Sequence, residues 1–213
     1  MKDPQETELG KKIIKESVTM IDELGFEGFT FKKLAAKIDS TEASIYRYFE
    51  NKHRLLVYVI AWYWNWLEYK IDFGTHNIEN PVDRLKVALK IITEKKEPDP
   101  LFPQVMEDAL HRIVISESNK TFLTKTVDED NRDGLFRGFK SLCEKVASIV
   151  TEIDASFKYP HSLISTVMQA AHQQVFYAEH IPTLTDLNQE EMNIYQKNED
   201  FLQNVVFNCI KTS

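Results

Sequence analysis

An all-α fold is what this chain predicts, on three observations. Six glycines and seven prolines in 213 residues leave few of the turns that hairpins need. Alternating apolar runs are scarce, whereas apolar residues recur at helical spacing along most of the chain. An apolar content of 43% is ample for a packed core at this length.

The elements follow in order. Ile14, Val18 and Ile21, with Ser17 on the same stripe, predict a first helix from about Glu8 to Leu24, and Gly25 supplies its stop. Thr30 is an N-cap for a second helix, with Phe29 and Leu34 at the two positions of a hydrophobic staple and Phe31, Leu34, Ala35 and Ile38 as its buried stripe. Thr41 caps a third helix of about two turns, whose inward positions are Ile45 and Phe49. A fourth runs from about Lys52 through "YVIAWYWNWLEYKIDF" to Gly74. Asn80 and Pro81 open a fifth, to about Lys96, as N-cap and first-turn proline. Pro98, Pro100 and Pro103 then force a non-helical connection. Later helices are expected over about Gln104–Ile115, Lys120–Ile153 with a break near Gly134, Pro160–His180 and Leu187–Lys211.

A net charge of -7 argues against a chain coated for polyanions, so any nucleic-acid contact must come from a local surface. Residues 1–56 are balanced, with 10 basic and 10 acidic side chains, and the negative surplus lies beyond them. Cys143 and Cys209 have no paired spacing, so neither a disulfide framework nor a metal cluster is indicated. The polar start "MKDPQETELGKK" has no apolar signal core, and no stretch has the roughly 18 uninterrupted apolar residues of a membrane span. A cytoplasmic protein with no membrane partner is expected.

Three helices in the first 50 residues, the last two joined by a tight turn, predict a helix-turn-helix unit. Its third helix buries a narrow stripe and offers Glu42, Ala43, Ser44, Tyr46, Arg47 and Tyr48 to a DNA major groove. Small Ala43 and Ser44 permit close approach to base edges. Tyr46, Arg47, Tyr48 and Lys52 have the reach for phosphates, and the capped helix starts at Thr30 and Thr41 add backbone donors.

The stretch "GFEGFTFKKLAAKIDSTEASIYRYFENKHRLL", Gly25–Leu56, resembles the DNA-binding domain of the TetR family of transcriptional regulators, without a gap over about 45 residues. The resemblance implies a homeodomain-like helix-turn-helix domain at residues 1–56 and a larger helical effector-binding and dimerisation domain at 57–213. It implies a homodimer formed through the last two long helices, a palindromic double-stranded DNA operator, and a small-molecule effector that releases it. Thr30, Thr41, Ser44, Tyr46, Tyr48 and Lys52 match the family's DNA-contact positions. Asp39 stands where the family usually has its turn glycine, and Asp tolerates a left-handed backbone. Ser40 replaces an apolar residue, and Glu42-Ala43 replaces a frequent Lys-Gly. Glu42 suits a helix start but repels phosphates unless it accepts from a cytosine amine.

Trp62, Trp66 and Tyr69 share one face of the fourth helix, with Tyr63 and Trp64 directed elsewhere. With Met106, His111, Phe139, His172 and Phe176 that face is a candidate effector pocket, set against ordinary packing between helices. Glu107 and His111 are only half of a metal site, with no accompanying "HExxH". The segment "EDNRDGLFRGFK" echoes a calcium loop but ends on Lys140 in place of a carboxylate, and reads as a solvated acidic turn. No metal, no cofactor and no catalytic group is expected. A dimeric small-molecule sensor acting through a protein partner is the alternative to a DNA-binding repressor.

Overall fold

The computed structural model describes residues 2–97, 106–187 and 193–211, and among them there are helices and no strand. The first helix, α1 (Glu8–Gly28), starts where Thr7 Oγ1 accepts the Gly10 N–H at 3.0 Å. It does not stop at Gly25 as the sequence suggests. Gly25 takes φ 69° inside the helix, and the chain resumes a last turn beyond the kink. Then come α2 (Phe31–Lys37), α3 (Glu42–Tyr46), α4 (Lys52–Thr75) and α5 (Pro81–Thr93). Asn80 Oδ1 caps α5 by accepting the Val82 N–H at 2.8 Å, and that helix ends three residues before Lys96.

After the prolines, whose positions lie outside the described residues, follow α6 (Glu107–Glu117), α7 (Asn119–Phe122) and α8 (Val127–Arg132). The long helix expected over Lys120–Ile153 is three pieces, because the chain leaves helical form at Leu123–Thr126 as well as around Gly134 (φ 78°). Its last piece is α9 (Arg137–Ile153), and α10 (Pro160–His180) and α11 (Ile194–Cys209) complete the fold. Pro160 opens α10 as expected, whereas α11 is shorter than the sequence suggests.

The helices gather into two compact units that do not follow chain order. Met1–Tyr63 and Lys96–Leu135 form the first, and Trp64–Lys95 and Phe136–Ser213 the second. In the first, α1 packs on α2 and α6, and α2 on α3, around Ile14, Val18, Ile21, Phe29, Leu34 and Ile45, all at most 2% exposed. In the second, α5, α9, α10 and α11 pack together through Leu85, Leu89, Val146, Val150, Val167 and Leu202. Asn198 is buried there and donates to the Ala171 carbonyl at 2.7 Å, which pins α11 to α10 in one register. Among the described residues no helix is long and apolar enough to cross a membrane.

Candidate functional site

Two threonine caps order the end of the first unit where the helix-turn-helix was expected. Thr30 Oγ1 accepts the Lys33 N–H at 3.3 Å, and Thr41 Oγ1 accepts the Ser44 N–H at 3.2 Å. Between the two helices Asp39 takes φ 53°, the left-handed backbone a glycine would supply. Lys12 Nζ donates to the Ile38 carbonyl at 3.0 Å and so satisfies the end of α2. Ile45 and Phe49, 0% and 4% exposed, anchor α3 from beneath. The helix itself is only five residues long, shorter than the two turns expected.

Thr30, Thr41, Glu42, Ala43, Tyr46 and Arg47 are exposed and Ser44 is half-buried. The Tyr46 ring rests edge-on against buried Phe31, with centroids 5.1 Å apart, so its hydroxyl end is presented by a fixed support. Tyr48 departs from the face drawn for it in the sequence. Its ring is buried, and its hydroxyl pairs with Thr7 Oγ1 at 2.8 Å. The cause is register: α3 ends at Tyr46, and the turn that follows carries Tyr48 inward with Phe49.

Lys52 also has a partner within the chain. Its ammonium donates to the Phe26 carbonyl at 3.1 Å and sits 4.5 Å from the centre of the Phe26 ring. An ammonium has three donors, so Lys52 remains able to meet an anion from a defined position.

Sequence reasoning missed the two residues after it. His53 Nε2 lies 2.9 Å from Asp130 Oδ2, and Arg54 reaches Asp130 at 3.2 Å and Asp133 at 2.8 Å. Asp130 is fully buried, a departure at one residue from the solvated acidic turn expected there, since Asn131, Arg132 and Asp133 beside it are exposed. A carboxylate is tolerated in that position because two basic side chains and Thr126 Oγ1, at 3.2 Å, surround it. The dibasic pair at the start of α4 and the acidic run "DEDNRD" were the available signal.

The aromatic residues of α4 sort differently from the face chosen in the sequence. Tyr63 and Trp64, 0% and 3% exposed, belong to the core stripe with Ile60, Leu67 and Ile71. Tyr69 is 53% exposed and stacks on exposed Phe73, while Trp62 and Trp66 are half-buried, the latter beneath the Lys70 ammonium at 5.7 Å. Both neighbours at positions 63 and 64 are needed inside, so the tryptophan-rich side takes the margin.

In the first unit, buried His111 meets the Tyr63 hydroxyl through Nδ1 at 3.0 Å, and Met106 (φ 47°) begins α6. In the second, Trp64 lies edge-on to Phe139 at 4.9 Å and to His172 at 5.4 Å, and His172 Nδ1 pairs with the Met168 carbonyl at 2.8 Å. Phe176 leans on His180 at 4.7 Å instead of joining that cluster. Glu107 and His111 are both buried, and among the described residues no group of three potential metal ligands is gathered.

Comparison with known proteins bears out the resemblance seen in the sequence. Residues 13–59 match the bacterial regulatory proteins of the tetR family. A curated relative, the HTH-type transcriptional repressor KstR of Rhodococcus jostii (strain RHA1), is 29% identical over 101 residues, a match spanning 46% of this chain and 46% of that protein. The chain thus aligns with just under half the length of that relative. The fold is also that of the fatty acid degradation regulator FadR from Bacillus halodurans, with TM-score 0.64, 14% identity and all of both chains covered. It is shared with AibR in complex with isovaleryl coenzyme A and operator DNA, with TM-score 0.57, 16% identity, 92% of this chain and 98% of that one.

Proposed function

We infer, from a chain that carries the DNA-binding segment of the tetR family at residues 13–59 within the fold of that family's regulators, a transcriptional repressor that binds a palindromic operator as a homodimer and answers to a small molecule. The observation that carries this reading is the face of α3. It is short, capped at Thr41, anchored by Ile45 and Phe49, and its outer side is exposed and supported. Small Ala43 and half-buried Ser44 suit base edges, Tyr46 and Arg47 suit phosphates, and Lys52 adds a cation fixed by Phe26. Glu42 is exposed beside them and selects for a cytosine amine or against a close phosphate.

The domain division we propose puts DNA reading in residues 1–56 and effector binding and dimerisation in 57–213. Two copies joined through α10 and α11 would space two α3 helices for half-sites about one DNA turn, or a small multiple, apart. An effector acts by binding one spacing better than another, and shifts the population by that difference alone. AibR was crystallised with isovaleryl coenzyme A and operator DNA, which supports an organic effector of that general kind. Trp64, Phe139 and His172, packed edge to face in the second unit, are the aromatic group we assign to an effector's apolar contacts.

Selection from a random duplex library tests the proposal. An inverted repeat retained by the wild type and lost by Tyr46→Ala is the expected result. A folded dimer that retains no sequence, with or without acyl-coenzyme A, would favour a sensor that acts through a protein partner.

A further inference from the structure

The start of α4 is held by more than the chain that leads into it. Asn51 Oδ1 accepts the Arg54 N–H at 2.9 Å and caps the helix, and Leu55 and Leu56 are fully buried just beyond. Only Arg47–Asn51 separates this first turn from α3, so a tilt of the turn is carried directly to the exposed face of α3.

Asp130 of α8 engages two consecutive residues of that turn. His53 Nε2 lies 2.9 Å from one carboxylate oxygen and Arg54 Nη1 3.2 Å from the other. Arg54 Nη2 is further held by Asp133 at 2.8 Å and Glu129 at 3.7 Å. The Arg54 side chain is only 13% exposed, and Asp130 is 0% exposed. Breaking such a pair leaves a buried charge uncompensated, so the geometry tolerates little drift. His53 and Thr126 hydrogen-bond one oxygen of Asp130 while the Arg54 guanidinium lies as an ion pair at the other, so the buried carboxylate ties α4's first turn to α8 from two consecutive residues.

We propose that Asp130 is a positioning residue for DNA reading: by clamping His53 and Arg54 it sets the orientation of α4's first turn and hence of α3. The proposal rests on the DNA-reading function inferred above. It assigns His53 and Arg54 to the clamp and not to phosphate, although both follow directly on Lys52. Being acidic, Asp130 contributes nothing directly to phosphate binding, so its effect must pass through the residues it holds.

The test measures affinity for the duplex selected by the wild type, across a salt series, for Asp130→Asn, His53→Ala and the double variant. Circular dichroism and melting establish the folded fraction of each. Affinity per folded molecule should fall about threefold to thirtyfold in each single variant. The log-log salt slope should stay at the wild-type value, and the double variant should lose no more than the worse single one. Should Asp130→Asn fail to fold, His53→Ala, at a partly exposed position, and Arg54→Lys, which keeps the charge but not the fork, carry the same test. Wild-type affinity in a folded clamp variant would overturn the proposal, as would a flattened slope, which would make these side chains phosphate contacts. A wild type that selects no duplex would instead sink the DNA-reading function itself.

Discussion

Glu117, the last residue of α6, accepts the backbone N–H of Phe26 at 3.0 Å although 91 positions separate them. Phe26 follows the left-handed Gly25, so its amide has left the regular ladder of α1 and needs this acceptor. The carbonyl and ring of the same residue receive the Lys52 ammonium. One residue, Phe26, thus joins α1, α4 and α6, and its backbone N–H and carbonyl are satisfied by side chains from the other two helices.

Glu117→Ala strands the Phe26 N–H in the interior and removes the carboxylate that holds Lys120 at 2.6 Å. A loss of about 1–3 kcal/mol is expected, read from urea unfolding at constant m-value. Glu117→Gln keeps an acceptor and should recover most of that loss. Equal losses in both variants would assign the effect to the charge on Lys120, whose proton is held above the ordinary lysine value chiefly by its bond to Glu117.

The two tyrosines that flank Arg47 should separate stability from binding. Tyr48→Phe removes the buried hydroxyl bond to Thr7 and should cost about 0.5–1.5 kcal/mol of stability with operator affinity per folded molecule unchanged. Tyr46→Phe alters an exposed hydroxyl, so stability should shift by less than about 0.5 kcal/mol while affinity falls. Thermal melts and gel-shift titrations of both variants decide it, and a Tyr48→Phe protein impaired in binding alone would return that residue to the reading face.

These residues also mark what the sequence discloses. Thr30, Thr41 and Asp39 act on their own immediate neighbours, so their roles as caps and turn are legible from composition and spacing. A helical projection carried through Tyr48 points it outward, but α3 ends two residues before it and the turn that follows sets its direction. Periodicity alone does not rank the aromatics that surround α4, so the burial of Tyr63 and Trp64 in preference to Trp62 and Trp66 is not legible from spacing. Asp130 looked solvated because His53 and Arg54, which make its burial tolerable, are more than 70 residues away in the chain.

Acid should weaken the second unit through Asp154. Its carboxylate accepts the Ser156 hydroxyl at 2.6 Å, the Ser156 N–H at 2.9 Å and the Lys211 N–H at 3.0 Å, closing the end of α9 and tying down the chain after α11. The Ser156 hydroxyl bond is the main cause that draws its pKa below the ordinary carboxylate value. A depressed pKa means that the unfolded chain binds the proton more readily than the folded one. The stabilisation is therefore complete above about pH 4 and is lost as pH falls through the folded value. Melting temperatures from pH 5 to pH 2 should drop more steeply for the wild type than for Asp154→Asn, which lacks this titration. Parallel curves would remove Asp154 from the acid response.

Phe201 tests the assembly. It lies on α11, 45% exposed, while Leu202 and Val206 of the same helix are fully buried against their own chain. A large aromatic on the outer side of a helix that already has its core stripe is suited to cover by another surface, and the proposed second copy supplies one. A stable pair needs roughly 800 Å² from each partner. A carboxylate at its centre faces its symmetry mate and must be desolvated without a partner. Phe201→Asp should accordingly sediment as a folded monomer at concentrations where the wild type is a dimer. Its affinity for the inverted repeat should fall towards that of a single half-site, because two reading helices are no longer linked. A wild type that is itself monomeric at high concentration would remove the basis for a palindromic operator, and the reading helix would then have to work from one half-site alone.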